Sequence, residues 1–150
     1  MPLSDFLAQP GLPRPVVSID DALRVASELY GVTGEIVELG SQQDRNFRID
    51  DGTSRWVLKF SNPVFSVEEL EAQDAAAAAV EVAGLDAPRS IASAGGRTVE
   101  TTVVDGVELP VRLLTYVVGE PMTAVGAFSA GDAEALGAAA GRVAAALADV

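Results

Sequence analysis

Two Asp-Gly pairs, at residues 51–52 and 105–106, constrain the fold of this 150-residue chain more than any other feature. Asp-Gly is typical of the tight turn that closes a β-hairpin, and each pair here lies between segments in which apolar and polar residues alternate. A further short strand is indicated near Ile91, before Gly95-Gly96. The main predicted strands are residues 35–39, 47–50, 56–60, 98–104 and 107–118. We therefore expect an antiparallel sheet of about five strands.

Three other segments have the spacing of amphipathic helices. Ser18 is placed to cap a helix that ends at Gly31, and Ser66 begins a capping box for a helix that ends at Gly84. Ser129 opens a third helix. The apolar stripe predicted on this third helix consists of Leu136, Ala140, Val143 and Leu147. Hairpins combined with separate helices indicate the α+β class, with one helix packed on the sheet.

Composition excludes several functional classes. The chain has neither cysteine nor histidine, so it lacks a thiolate nucleophile, an imidazole base and the usual soft ligands for zinc. Its net charge of −12 argues against a nucleic-acid or anionic-membrane partner, because both attract basic patches. The N-terminus lacks the pattern of a secretion signal, and no segment approaches the roughly 20 apolar residues of a membrane helix. These observations predict a cytoplasmic protein.

Lys59 is the single lysine among ten basic residues, and it lies in an otherwise apolar strand. Alternation places Lys59 and Val57 on one face, and Trp56, Leu58 and Phe60 on the other, which we expect to be the core. A compact ammonium can bind a single phosphate oxygen, whereas a guanidinium is a broad fork. If the first face lines a cleft, Val57 and Lys59 suit an aromatic base lying next to its phosphates; otherwise Lys59 is a solvent-facing strand residue.

Glu71, on the predicted middle helix, is a candidate partner for Lys59. Its spacing from Ala75, Ala78 and Val82 places the carboxylate on an otherwise apolar stripe. A buried carboxylate needs a partner, and Lys59 is the nearest basic residue upstream. We therefore expect the two charged groups to approach within roughly 4 Å. The alternative is that Glu71 lies at the edge of the stripe, in water.

Several segments, in this order, resemble a known family. They are the loop G-S-Q-Q-D-R-N-F, then V-L-K-F around Lys59, then E-L-E-A-Q, then R-L-L-T-Y-V-V-G-E-P. Together they are similar to the N-terminal lobe of the aminoglycoside phosphotransferase and choline kinase family. The loop and the L-E-A-Q segment are closest to its hydroxylysine kinase-like branch, which includes a module fused ahead of class III aminotransferases in some bacterial proteins. The resemblance spans about residues 20 to 150 and implies a protein-kinase-like small lobe.

The resemblance implies that Lys59 holds the α- and β-phosphates of ATP or another nucleoside triphosphate and that Glu71 positions Lys59. The loop from Gly40 to Asn46 would cover the phosphates, helped by Ser41, Gln42 or Asn46. This loop departs from the protein-kinase pattern because Gly40 is its only glycine. The remaining implied nucleotide contacts are Val57, Leu114 at the back of the adenine pocket, the Thr115 carbonyl and the Val117 amide.

The resemblance also implies a division of the chain. Residues 1–30 would form an arm and a helix, residues 31–118 the small lobe, and residues 119–150 a hinge and the first helix of a missing C-terminal lobe. The catalytic aspartate and the ligands of Mg²⁺ are expected in that lobe, outside this chain. The predicted function is the nucleotide-binding lobe of a kinase that acts on a hydroxyl of a small molecule. The alternatives are a non-catalytic kinase-like module fused to another enzyme and an α+β domain without a ligand.

Overall fold

The computed structural model describes residues 12–124, 126–148 and 150, so most of the predicted N-terminal arm lies outside the described residues. Its helices are α1 (Ile19–Tyr30), α2 (Val67–Val82) and α3 (Ala130–Ala146), with a 3-10 helix at Met122–Ala124 before α3. Its strands are β1 (Glu35–Leu39), β2 (Arg45–Asp50), β3 (Arg55–Phe60), β4 (Ser90–Ile91), β5 (Glu100–Val104) and β6 (Val107–Thr115). The elements follow the predicted order, and β6 ends three residues earlier than predicted.

All the strands belong to one antiparallel sheet, in the order β1-β2-β3-β6-β4. The strand β5 also pairs with β6, along the edge that β4 occupies further on. The predicted α+β class and antiparallel sheet are confirmed. The sheet has six strands, because the two-residue strand β4 adds to the five main strands. At the second Asp-Gly pair, Asp105 and Gly106 have φ of 50° and 79°, which is the left-handed backbone that closes the β5–β6 hairpin.

One face of the sheet packs against α1 and forms the core. Leu58 and Phe60 are fully buried there, and Phe60 contacts Phe47 edge to face, with ring centroids 6.0 Å apart. The core residues are Val17, Ala22, Val25, Ala26, Phe47, Ile49, Leu58, Phe60, Val104, Leu109, Val111 and Leu113. Trp56 packs against this cluster, so the predicted core face of β3 is confirmed. The helix that covers the core is α1, whereas α2 lies on the opposite face and buries only Leu70.

The helix starts follow from their capping residues. The Ser18 hydroxyl accepts a hydrogen bond from the Asp21 amide at 3.1 Å, and Ser66 and Ser129 each form a complete capping box. Gly31 ends α1 in the left-handed conformation with φ of 66°. The predicted stripe of α3 is not covered within the described part of the chain, because Leu136 remains 48% exposed. Among the described helices, none combines the length and apolar character needed to cross a bilayer.

Candidate functional site

A cleft of about 490 Å³ opens on the sheet face opposite α1. Its floor is built from neighbouring strands, because Val57 on β3 lies directly opposite Leu114 on β6, and Lys59 lies opposite Asn46 on β2. The segment that follows β6 forms its outer wall. The lining residues are Asn46, Val57, Lys59, Pro88, Leu114, Thr115, Tyr116, Val117, Gly119, Glu120 and Pro121. The cleft therefore combines an apolar floor with one cation.

The structure brings six of the predicted site residues to this cleft. They are Asn46, Val57, Lys59, Leu114, Thr115 and Val117. Ser41 and Glu71 do not line it. Along β3, two residues rise about 7 Å, so the Lys59 side chain leaves the strand one side-chain step beyond Val57. The apolar floor and the ammonium are thus close enough to contact two parts of one small ligand.

Lys59 forms an ion pair with Asp44, at the end of the β1–β2 loop. The Nζ atom lies 2.6 Å from Asp44 Oδ2, and the two side chains are 24% and 13% exposed. The other carboxylate oxygen accepts a hydrogen bond from the Asn62 amide at 2.9 Å. Ser41 Oγ accepts a hydrogen bond from the Asp44 amide at 3.2 Å, so Ser41 supports the loop from within. The sequence pattern did not indicate Asp44, because the contact depends on how the β1–β2 loop folds back over β3.

The predicted ion pair between Lys59 and Glu71 is not formed among the described residues. Glu71 is exposed, as the alternative interpretation expected, and so are Ala75, Ala78 and Val82. The sheet-facing stripe of α2 instead begins at Leu70, which is 1% exposed. Alanine surrounds this helix almost evenly, so its apolar residues do not define a face, and the one leucine decides the orientation.

The acid that α2 directs toward the sheet is Asp74, four residues after Leu70. Arg112 on β6, which lies directly opposite Lys59, donates to Asp74 Oδ1 at 2.6 Å and to the Leu70 carbonyl at 3.0 Å. It also donates to Gln73 Oε1 at 2.9 Å. A signal for Arg112 was present, because it is the one charged residue in an apolar run and alternates with the buried Val111 and Leu113.

The cleft also presents polar groups that the described residues leave unused. Asn46 Oδ1 is buried and has no hydrogen-bond partner among them. The Thr115 amide donates to the Arg89 carbonyl at 2.9 Å, and its hydroxyl accepts from the Arg89 amide at 2.9 Å. The Val117 amide donates to no other described residue. A buried unpaired acceptor and a free backbone donor in one cleft favour a polar ligand.

Comparison with known proteins identifies the family and the fold. The model of the phosphotransferase enzyme family matches residues 35–150. The solved amicoumacin kinase hAmiN, in complex with AMP-PNP, Ca²⁺ and Ami, superposes with a TM-score of 0.66 at 18% identity, over 87% of this chain and 40% of its own. A microcompartment-associated aminopropanol kinase has a TM-score of 0.61 at 18% identity, over 71% of this chain and 34% of its own. No protein of curated function matches the sequence.

The two solved kinases confirm the predicted fold, a kinase-like small lobe. At 18% identity they show the fold alone. This chain spans 40% and 34% of their lengths.

Proposed function

The chain belongs to the phosphotransferase enzyme family, and from that premise we propose that it forms the nucleotide-binding lobe of a small-molecule kinase. The acceptor would be a hydroxyl group. The observation that carries this proposal is the position of the Lys59 ammonium beside the apolar floor of Val57 and Leu114 in one cleft. A planar base and a charged phosphate chain are the two parts of a ligand that such a floor and such a cation would bind.

The cleft residues fit a nucleoside triphosphate. The volume of the cleft, about 490 Å³, lies in the range of about 300–1,000 Å³ typical of small-molecule sites. In the proposal, Val57 and Leu114 contact the base, and the Val117 amide and Thr115 carbonyl bond its edge. Lys59 and Asn46 face the phosphates, where Lys59 neutralises negative charge. A bound triphosphate with Mg²⁺ would supply the phosphoryl group for transfer.

The proposal places the catalytic base and the metal ligands in a second lobe. In this proposal, residues 119–150 provide a hinge and the first helix of that lobe. The described residues contain no cluster of three acidic side chains that could hold a metal ion. A lysine alone positions phosphate but neither accepts the hydroxyl proton nor binds Mg²⁺. The proposal therefore assigns phosphoryl transfer to the two lobes together.

The proposal also covers the chemical class of the acceptor and the cellular location. The acceptor classes are amino alcohols, aminoglycosides and hydroxylated amino acids, and a cytoplasmic location fits a kinase that uses cellular nucleotide. The name of one similar kinase, aminopropanol kinase, refers to an amino alcohol. The likeness of the loop and of E-L-E-A-Q to the hydroxylysine kinase-like branch favours an acceptor that carries an amine beside its hydroxyl group.

A second candidate function is a non-catalytic module, for example one fused to a class III aminotransferase. Two observations favour it: Lys59 is paired with an acid of the loop, and Gly40 is the only glycine in that loop. Fewer glycines reduce the close backbone contacts that a phosphate-covering loop can make. Such a module would use the cleft for binding or for packing and would not turn over nucleotide.

The test is Mg²⁺-dependent nucleotide turnover by the full-length protein, with the acceptor classes above supplied in turn. We expect turnover in the wild type and its loss in Lys59→Ala. The matched control is Arg55→Ala, which removes an exposed cation from the same strand and the same face. Turnover in Lys59→Ala equal to that of the wild type would remove Lys59 from the mechanism. Binding of nucleotide without turnover by the wild type would favour the non-catalytic module.

A further inference from the structure

We propose that Asp44 is a positioning residue that holds the Lys59 ammonium toward the phosphate end of the cleft. This inference rests on the proposed nucleotide-binding function of the same site. It assigns to an acid of the β1–β2 loop the task that the sequence assigned to Glu71. The Nζ of Lys59 and Oδ2 of Asp44 lie 2.6 Å apart at the cleft, with both side chains largely shielded from water.

The ion pair leaves Lys59 able to bind a ligand. An ammonium has three donors, and the recorded contact with Asp44 occupies one of them. A charge-assisted contact of this kind is short and directional, so it fixes the orientation of the remaining donors. Lys59 would otherwise lose the freedom of four rotatable bonds when it binds phosphate. Asp44 therefore lowers the entropic cost of binding by ordering Lys59 beforehand.

Asp44 is itself held from three further directions. Its second carboxylate oxygen accepts from the Asn62 amide at 2.9 Å, its amide donates to Ser41 Oγ at 3.2 Å, and its carbonyl accepts from Arg14 Nε at 3.2 Å. Both carboxylate oxygens are thus occupied. Rotation of the carboxylate away from Lys59 would break the Asn62 contact, so a phosphate group is expected to join the ion pair rather than displace Asp44.

Among the described residues, Lys59 forms an ion pair with Asp44 and with no other acid, Glu120 of the cleft included. Glu71 is exposed and forms no ion pair among the described residues. Asp74 is engaged by Arg112 at 2.6 Å. Asp44 also belongs to the loop that would cover the phosphates, so the ion pair ties this loop to the strand that carries the cation. The loop and the lysine are thereby coupled through one carboxylate.

The test variant is Asp44→Asn in the full-length protein, with the affinity for Mg²⁺ and AMP-PNP measured by calorimetry. The asparagine Oδ1 can still accept a hydrogen bond from the Asn62 backbone amide, while its NH2 group replaces the oxygen that faced Lys59. The loop contact is therefore kept, and the charge and the acceptor for Lys59 are lost. We expect binding about tenfold weaker at nearly unchanged thermal stability. Asp44→Glu keeps the charge and should restore part of the affinity. Asp105→Asn, the same change in a remote turn that tolerates asparagine, should bind as the wild type does.

The outcomes separate this inference from the proposed function. If the wild type binds AMP-PNP and Lys59→Ala does not, the nucleotide-binding part of the proposed function stands, and equal or tighter binding by Asp44→Asn then overturns the inference alone. A wild type that does not bind AMP-PNP overturns both. A purely structural role for Asp44 would lower thermal stability in Asp44→Asn without changing the affinity of the folded protein, and this result also contradicts the inference.

A measurement on the wild type covers the case in which the variants do not fold. Hydrogen exchange at the Asn62 amide reports its bond to Asp44 Oδ1. If Asp44 stays in place when nucleotide binds, this exchange should slow on addition of Mg²⁺ and AMP-PNP. Equal or faster exchange would mean that phosphate displaces Asp44, and the positioning role would be wrong.

Discussion

The two faces of the sheet use the same strands for different purposes. Toward α1, β3 presents Leu58 and Phe60, both fully buried in a close-packed core. Toward the cleft, the same strand presents Val57 and Lys59, and the space above them is left open. Because side chains alternate along a strand, one short segment supplies both faces. Substitutions on β3 should therefore alter stability or ligand binding, according to the parity of the position.

Two cations that lie opposite each other on the cleft face have different environments. Arg112 and Lys59 lie opposite each other on β6 and β3, yet the Arg112 side chain is 4% exposed and the Lys59 side chain 24%. Arg112 donates to three acceptors on α2, whereas Lys59 contacts one carboxylate. The first cation serves to hold the helix on the sheet. The second keeps donors available to a ligand.

The largest expected loss of stability comes from a substitution on the core face. Phe60→Ala removes a fully buried ring and its contact with Phe47, and should lower the free energy of unfolding by about 3–5 kcal/mol. The matched control on the other face is Val57→Ala, with an expected loss of about 1 kcal/mol or less. Denaturant unfolding followed by circular dichroism compares the two. Equal losses would contradict the division of β3 into a core face and a cleft face.

The next effect distinguishes the two cations. Arg112→Met leaves Asp74 without its cation beneath α2, and should cost about 2–3 kcal/mol, less than a fully buried pair because Asp74 is 18% exposed. The double variant Arg112→Met with Asp74→Leu should recover much of this loss, since the unpaired charge is gone. The same unfolding measurement applies. No recovery in the double variant would show that the packing of the arginine and its other hydrogen bonds, rather than its ion pair, hold α2.

A smaller loss of stability is expected from the other cation. Lys59→Met removes one contact, and Asp44 keeps its hydrogen bond from the Asn62 backbone amide, so the free energy of unfolding should fall by about 1 kcal/mol. Urea unfolding of this variant beside Arg112→Met gives the comparison directly. A loss as large as that of Arg112→Met would mean that Lys59 is a structural residue, and the contrast between the two cations would fail.

The smallest effect concerns the buried acid of the core face. Hydrogen bonds from Arg97 and from Ser93 hold the pKa of Glu100 below its usual range. A carboxyl group whose pKa is lowered in the folded state stabilises the protein above its unfolded pKa, about 4.3, and loses this contribution as the pH falls through the folded value. Glu100→Gln should therefore weaken the dependence of melting temperature on pH below about pH 5. An unchanged dependence would contradict this assignment.

Local patterns were sufficient to predict most of the fold. The Asp105-Gly106 turn and the caps at Ser18, Ser66 and Ser129 depend on neighbouring residues, and each lies where the sequence placed it. The two-residue strand β4 was indicated only by a short apolar signal, because its pairing is supplied by β6. Turns and helix caps that depend only on neighbouring residues can thus be predicted from the sequence.

The contacts between elements were harder to predict. Alternation placed Lys59 and Val57 on the cleft face, but the partner of Lys59 depends on how a loop folds back over β3, and Asp44 carries no local signal for this. On α2, alanine conceals which side faces the sheet. The spacing therefore predicts Glu71 as the sheet-facing acid, whereas in the structure this acid is Asp74, paired with Arg112. The role of Glu71 in nucleotide binding remains a prediction.

The most direct test of nucleotide binding in the cleft uses the chemistry of the chain's single lysine. An acyl phosphate derivative of ATP transfers its acyl group to an amine that lies beside the bound phosphates, and peptide mass spectrometry locates the label. If the cleft binds a nucleoside triphosphate, the peptide containing Lys59 is labelled and an excess of ATP with Mg²⁺ suppresses the label. Absence of label at Lys59, or labelling that excess nucleotide does not reduce, would contradict the claim that this cleft binds a nucleoside triphosphate.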